Sequence, residues 1–184
     1  MPKELARQTF HIAVGALAMA IFLLYGKNTL MAVSFFSMLI GFLLVNQISL
    51  GRKFGPVRWF VEKFERPNAR FHGWGSACYG LGVLFLASYL HDSSEIAASI
   101  FILAVGDSFS TIFGRNGGIR LPWNEKKTLE GTLAFAITAL PAYYFIGPLV
   151  FPVAIIAALA ESIDWPIDDN LIIPMACTFF FLLV

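Results

Sequence analysis

The chain has 184 residues, of which 58% are apolar and 15% aromatic while only 14% are charged, against about 25% charged in an average soluble domain. That much apolar side chain exceeds what one water-soluble core could bury, so the surplus must face lipid. A formal net charge of +1 offers no electrostatic case for nucleic acid, and Cys78 and Cys177 lie in apolar runs as packing residues, without the pattern of a disulfide framework or a metal site.

Apolar runs at 9–25, 29–45, 73–90, 96–113, 132–146, 149–163 and 171–184 predict seven helices. The first follows Lys3 and Arg7 as a leader would, but its apolar stretch continues through Ile21, Phe22, Leu23 and Leu24, so it reads as a retained helix. The basic residues agree with this count. With the N-terminus on the cytoplasmic side, 12 of the 13 Lys and Arg fall inside and only Lys27 outside. The long linker at 49–72 contains Pro56 followed by Val57, Phe60, Val61 and Phe64 at helical spacing, with Trp59 beside them. This predicts an amphipathic helix on the inner leaflet, serving as an anchor or as a lid over a lipid entrance. The fold expected is therefore an all-α polytopic membrane protein of about seven transmembrane helices with one interfacial helix, in a single domain over 1–184.

Several polar residues stand in the wrong solvent. Asp107 lies inside the fourth apolar run, where a charged carboxylate costs ~2.5–3.5 kcal/mol on insertion scales. Ser110, Thr111 and Gly114 follow at helical spacing, so this face must look into the bundle, either at a functional centre or at a buried ion-pair partner. The loop that follows joins Gly114, Gly117 and Gly118 to Arg115, Arg120, Lys126 and Lys127. Glycine backbone and cations together make a phosphate cradle, although a basic inner loop also serves simply to fix topology. Thr128 can cap the fifth helix, whose N-terminus favours an anion, while Glu130 either complements that dipole or contacts a metal or hydroxyl.

The first helix carries Glu4, Arg7, His11 and Gly15 on one stripe. The sixth run ends in Glu161, Asp164, Asp168 and Asp169, acids whose mutual repulsion calls for a cation. Mg²⁺, which is bound through one or two carboxylates plus substrate phosphates, suits them. Asp169 and Asn170 also stand where a cap for the last helix would be, and both readings remain open.

Together these motifs resemble the CTP-dependent lipid kinases, a family that holds dolichol or polyprenol kinase, phytol kinase and the CTP-using diacylglycerol kinase. Glu4, Arg7, His11 and Gly15 are similar to its E-x-x-R-K-x-x-H followed by a Gly, with Gln8 in place of the usual Lys; Tyr79, Gly80 and Gly82 resemble its third-helix motif. Gly106-Asp107, followed by Lys127-Thr128-Leu129-Glu130-Gly131-Thr132, is similar to its G-D and K-T-x-E-G-T, and Glu161 with Asp169-Asn170 and Pro174 matches its E and D-N-x-x-x-P.

The resemblance implies an enzyme that moves the γ-phosphate of CTP to the hydroxyl of a polyprenol-type or related lipid alcohol. Asp107 and His11 would be catalytic, and Asp107, Glu161 and Asp169 would bind the metal. Arg7, Gly106, Gly114, Arg115, Gly118, Lys126, Lys127, Thr128, Glu130, Gly131 and Asn170 would meet the nucleotide. A lipid-phosphate cytidylyltransferase could use the same constellation, whereas a transporter usually shows repeated halves, and none is visible.

Overall fold

The computed structural model describes residues 2–50, 55–64 and 71–184. Arg52, Lys53, Glu65, Arg66 and Arg70 of the expected inner loop lie outside the described residues, as do the side chains of Val57, Phe60 and Val61.

The first two apolar runs form a helical hairpin, α1 (Pro2–Ser49), whose two arms meet at Gly26, where the backbone leaves the helical region with φ +80°. That left-handed backbone is open to glycine and strained for other residues, so the bend falls where the hydropathy dips between the runs. Both arms lie along α3 (Trp74–Tyr89). Val45 adjoins Gly73, and Ser34 and Met38 adjoin Gly80, while on the other arm His11 meets Tyr79. At the bend, the Lys27 ammonium donates to the Leu90 carbonyl at 2.8 Å. The arms therefore run antiparallel, one with α3 and one against it.

The amphipathic segment is helix α2 (Gly55–Phe64), within a residue of its predicted bounds. Phe64 packs on Phe10 of α1 with ring centroids 4.7 Å apart, Trp59 is exposed, and the Lys63 ammonium sits 4.6 Å above the Trp59 ring. An exposed indole beside a cation suits an interfacial anchor.

The fourth run is one rod of three parts: α4 (Ser93–Phe101), a π-helical turn (Ile102–Gly106) and α5 (Asp107–Gly114). Sequence periodicity did not anticipate the wide turn, which ends at the residue before Asp107; turns of this kind recur at functional sites. A short antiparallel hairpin follows, β1 (Arg120–Leu121) and β2 (Asn124–Thr128), the one departure from helix among the described residues. Thr128 then caps α6 (Leu129–Ala139), its hydroxyl accepting from the Gly131 amide at 3.2 Å. Beyond the short α7 (Tyr143–Ile146) the chain turns at Gly147, φ +56°, into α8 (Val150–Ser162), which packs back on α6. The last helix, α9 (Asp169–Leu183), packs on α3 and α8.

Three helical stretches are long and apolar enough to cross a membrane: Lys3–Gln47, Ser93–Gly114 and Leu129–Ser162; Asp169–Leu183 is shorter. Ser93–Gly114 is mostly buried at the centre, whereas the most apolar part of Lys3–Gln47 has few fully buried residues. An apolar core inside an apolar exterior is the arrangement of a membrane protein. Two of these stretches each hold two of the seven runs, joined by tight turns at Gly26 and Gly147, and α3, at 16 residues, reaches only ~24 Å.

Backbone closeness holds the centre together. A Cβ on Gly131 of α6 would lie 2.9 Å from both Gly114 Cα and the Ser110 carbonyl of α5. Gly131→Ala is expected to destabilise the fold by ~1–3 kcal/mol through overpacking, read as a lower Tm in detergent. An unchanged Tm would mean that α5 and α6 have room between them.

Candidate active site

The polar residues singled out from the sequence converge from four parts of the chain. Asp107 opens α5 beside the π turn, Glu161 ends α8, and Asp169 begins α9; one carboxylate oxygen from each lies within 4.8 Å of the others. Glu161 is 1% exposed and Asp107 3%. Three carboxylates this close repel one another strongly unless a cation lies among them. Lys127, brought over by β2, supplies one charge: its Nζ donates to Glu161 Oε1 and, at 2.8 Å, to Asp169 Oδ2. Burial works against its charge, but attraction from Glu161, Asp169 and Asp107 outweighs that cost and holds its pKa above the ordinary lysine range.

One lysine does not saturate the cluster. Ser110 donates to Glu161 Oε1 at 2.8 Å, while Glu161 Oε2 is buried with no hydrogen-bond partner among the described residues. An orphaned buried carboxylate oxygen costs free energy, and hard oxygen donors in this number fit a divalent cation such as Mg²⁺. Lys127, expected from the sequence as a cation of an inner loop, is paired instead with Glu161, among the most deeply buried acids.

His11 faces this cluster from α1. Its Nε2 lies 3.7 Å from Asp107 Oδ2 and 3.4 Å from the Leu103 carbonyl in the π turn, and its ring meets Tyr79 edge-on. Nearby, Glu4 Oε1 accepts from Arg7 at 2.6 Å and from Gln8 at 2.8 Å. Gln8 is buried in the position where the family motif has Lys, and it keeps the hydrogen bond without the charge.

Other expected residues have structural partners of their own. Glu130 accepts from the amides of Gly118, at 2.8 Å, and Ile119, at 3.2 Å. That end of the glycine loop is thus clasped by a protein carboxylate and turned away from an incoming anion. Lys126 pairs with Asp164 at the surface, Arg115 is exposed, and Gly106 and Gly114 are sites of close helix approach to Phe135 and Gly131. The cap of α9 is Asp168, whose carboxylate accepts from the Asn170 amide at 3.1 Å, so Asp169 is released to meet Lys127. Asn170 donates through Nδ2 to Asp168 Oδ1 at 2.8 Å, and the Asn170 carbonyl crowds Gly82 of α3, where a Cβ would come within 2.3 Å of it.

Two contributors escaped the sequence reading, and a third, Tyr79, was read there only as part of a motif. Trp123 and Asn124 dock the hairpin on α8, donating to the Ser162 hydroxyl at 3.1 Å and carbonyl at 3.0 Å, and this is what aims Lys127 inward. The Tyr79 hydroxyl is buried beside His11 with no hydrogen-bond partner among the described residues; its place in the third-helix motif was the available signal.

A cavity of about 950 Å³ opens at Arg7, His11, Asp107 and Asn170 and continues between the arms of α1 and α3 past Ala18 and Leu30. A polar end holding titratable groups and an apolar remainder make one continuous space.

An uncharacterised protein of Methanocaldococcus jannaschii is 32% identical over 180 residues, covering 96% of this chain and 92% of that protein. A probable chloroplastic phytol kinase of Triticum aestivum is 28% identical over 198 residues, covering 95% of this chain and 65% of the relative. Probable phytol kinase 2 of Glycine max, also chloroplastic, is 26% identical over 196 residues, covering 95% and 63%. The chain thus spans just under two thirds of the length of these two phytol kinases. The likeness to phytol kinases over nearly its whole length supports the resemblance of this chain to the CTP-dependent lipid kinases. No family model matches it, and no solved structure does.

Proposed function

We propose that the protein is a membrane lipid kinase that transfers the γ-phosphate of CTP to the hydroxyl of a lipid alcohol of the polyprenol, dolichol or phytol kind. The observation that carries this reading is the single cavity joining Asp107, His11 and Arg7 to an apolar space between α1 and α3. A hydroxyl on an apolar tail can sit at such a junction with its tail in the membrane-facing half. The phytol kinases among the relatives add support from a second direction.

Asp107, Glu161 and Asp169 would hold Mg²⁺, which when bound neutralises phosphate charge and helps align the transferred group. Phosphoryl transfer needs positioning and charge neutralisation more than covalent help. Arg7 and Lys127 provide cations at the polar end of the site. His11 Nε2 lies 3.4 Å from the Leu103 carbonyl and 3.7 Å from Asp107 Oδ2. Asp107 is the acceptor for the alcohol's proton, with His11 beside it.

Purified protein in detergent with Mg²⁺ is expected to move label from γ-labelled CTP, and not from α-labelled CTP, into an extracted lipid alcohol. Incorporation of the α-label would make the protein a cytidylyltransferase, and equal use of ATP would remove the preference for CTP.

Seven crossings, with the N-terminus and the active site on the cytoplasmic face, complete the proposal. The antiparallel arms of α1 and the return of α8 on α6 support it, as does the charge distribution. Single cysteines at Asn28, Ser94 and Asn116, all exposed, are expected to label from opposite sides: the first two from outside, the third from the cytoplasm. Labelling of Asn28 and Asn116 from one side would overturn the topology.

A further inference from the structure

The loop between α8 and α9 carries a tryptophan outside the carboxylate cluster. Trp165 stands four residues after Glu161 and four before Asp169, and it lines the polar mouth of the cavity together with Arg7, Asp107 and Lys126. The side chain is 44% exposed, yet it is held in place. Its Nε1 donates to the Ala160 carbonyl in the last turn of α8 at 2.8 Å, and its backbone amide donates to the Ile163 carbonyl at 3.0 Å. The indole N–H thereby satisfies one of the carbonyls that a helix end leaves unpaired, and Pro166 restricts the backbone just before it. The ring is pinned at one edge while much of its surface stays open.

Membrane anchoring accounts poorly for this residue. Trp59 of α2 shows that role, with an exposed indole beside Lys63 on an amphipathic helix. Trp165 lies instead between Asp164 and Asp168, acids that an anionic membrane surface repels. Its N–H is spent on Ala160, so it has no polar handle left for the headgroup region.

We infer that Trp165 is the platform on which the base of the nucleotide stacks, with the phosphates running inward to the carboxylate cluster; the inference rests on the lipid kinase reading above. Reach agrees with this. Four residues of chain span at most ~14 Å, so the Trp165 backbone stands within that distance of both Glu161 and Asp169. The base of a nucleoside triphosphate lies about ten bonds from its γ-phosphorus, or ~12 Å when extended. A ring already immobilised loses little further freedom when it is covered. A base is uncharged, so Asp164 and Asp168 do not repel it as they would a phosphate.

Calorimetric titration of the whole chain in detergent with Mg²⁺ tests this with two probes: CTP, and inorganic tripolyphosphate, which has the phosphates and no base. Trp165→Ala is expected to weaken CTP binding at least about fivefold, the low end of the loss when a stacked aromatic is removed, and to leave tripolyphosphate binding unchanged. Retained tripolyphosphate binding also reports that the cluster and its loop are still built. Trp165→Phe, which keeps a ring and loses the bond to Ala160, is expected to fall between. Trp59→Ala is expected to bind both probes as the unaltered protein does.

CTP affinity unchanged in Trp165→Ala, or an equal loss for CTP and tripolyphosphate, would overturn the platform, as would an equal loss of CTP binding in Trp59→Ala. A selective loss of CTP binding in Trp165→Ala, with no transfer of label from γ-labelled CTP to any lipid alcohol by the unaltered protein, would keep the platform and sink the kinase reading. Binding of neither probe by the unaltered protein would sink both.

Discussion

Asp107→Asn is expected to lose about 10²–10⁴-fold in phosphate transfer while the protein stays folded with an equal or higher Tm. The amide is nearly isosteric and cheaper to bury than a carboxylate. It accepts no proton and makes a poor ligand for Mg²⁺, so it removes both roles proposed for this position. Folding should survive because Lys127 keeps Glu161 and Asp169 as partners. His11 would lose a carboxylate 3.7 Å away but keep the Leu103 carbonyl. If Asp107 were instead half of a structural ion pair, the variant would strand a buried cation and lose ~3–5 kcal/mol. Measuring transfer and Tm together separates the two, and near-normal turnover in a stable variant would end the catalytic assignment.

Lys127→Ala is expected to cost ~3–5 kcal/mol in metal-free conditions, since it leaves buried Glu161 and its neighbours without their compensating charge. In detergent with a chelator the Tm should fall by on the order of 10 °C. Added Mg²⁺ should recover much of that loss, because a divalent cation bound to the same carboxylates stabilises the folded state by mass action. Lys127→Arg should show a smaller loss. A Tm in chelator that matches the unaltered protein would mean that Lys127 does not stabilise the carboxylate cluster.

Much of the architecture was legible because membrane insertion makes sequence signals coarse and strong. Apolar runs marked the helices, and the period of Val57, Phe60, Val61 and Phe64 marked α2 to within a residue. Thr128 was visible as a cap because a hydroxyl before an apolar run has few other uses. The carboxylate trio stood out for a related reason: Asp107 and Glu161 sit in or at the end of apolar segments, where burial of charge demands a partner. Their convergence with Asp169 follows once α8 and α9 pack on each other and on the π turn that precedes Asp107.

Other features depend on tertiary partners that no local pattern encodes. The hairpin at Arg120–Thr128 exists because Trp123 and Asn124 find Ser162, nearly forty residues later. Glu130 was ambiguous because its partners, the amides of Gly118 and Ile119, carry no side-chain signal. The cap of α9 fell one residue earlier than the candidates Asp169 and Asn170, since three polar residues in a row offer three caps and only docking selects Asp168. The π turn before Asp107 left no trace in an apolar segment that is buried on nearly every side.

The distribution of Lys127's partners has a consequence for how the protein is made. In order of synthesis Asp107 comes first, Lys127 twenty residues later, and Glu161 and Asp169 a further 34 and 42 residues on. A growing chain therefore places an acid and then a base at the membrane before either of the carboxylates that bond to Lys127 has left the ribosome. Until α8 and α9 arrive, the hairpin holds at Lys127 a charge whose bonded carboxylates do not yet exist. Closure of the ion cluster thus coincides with completion of the bundle.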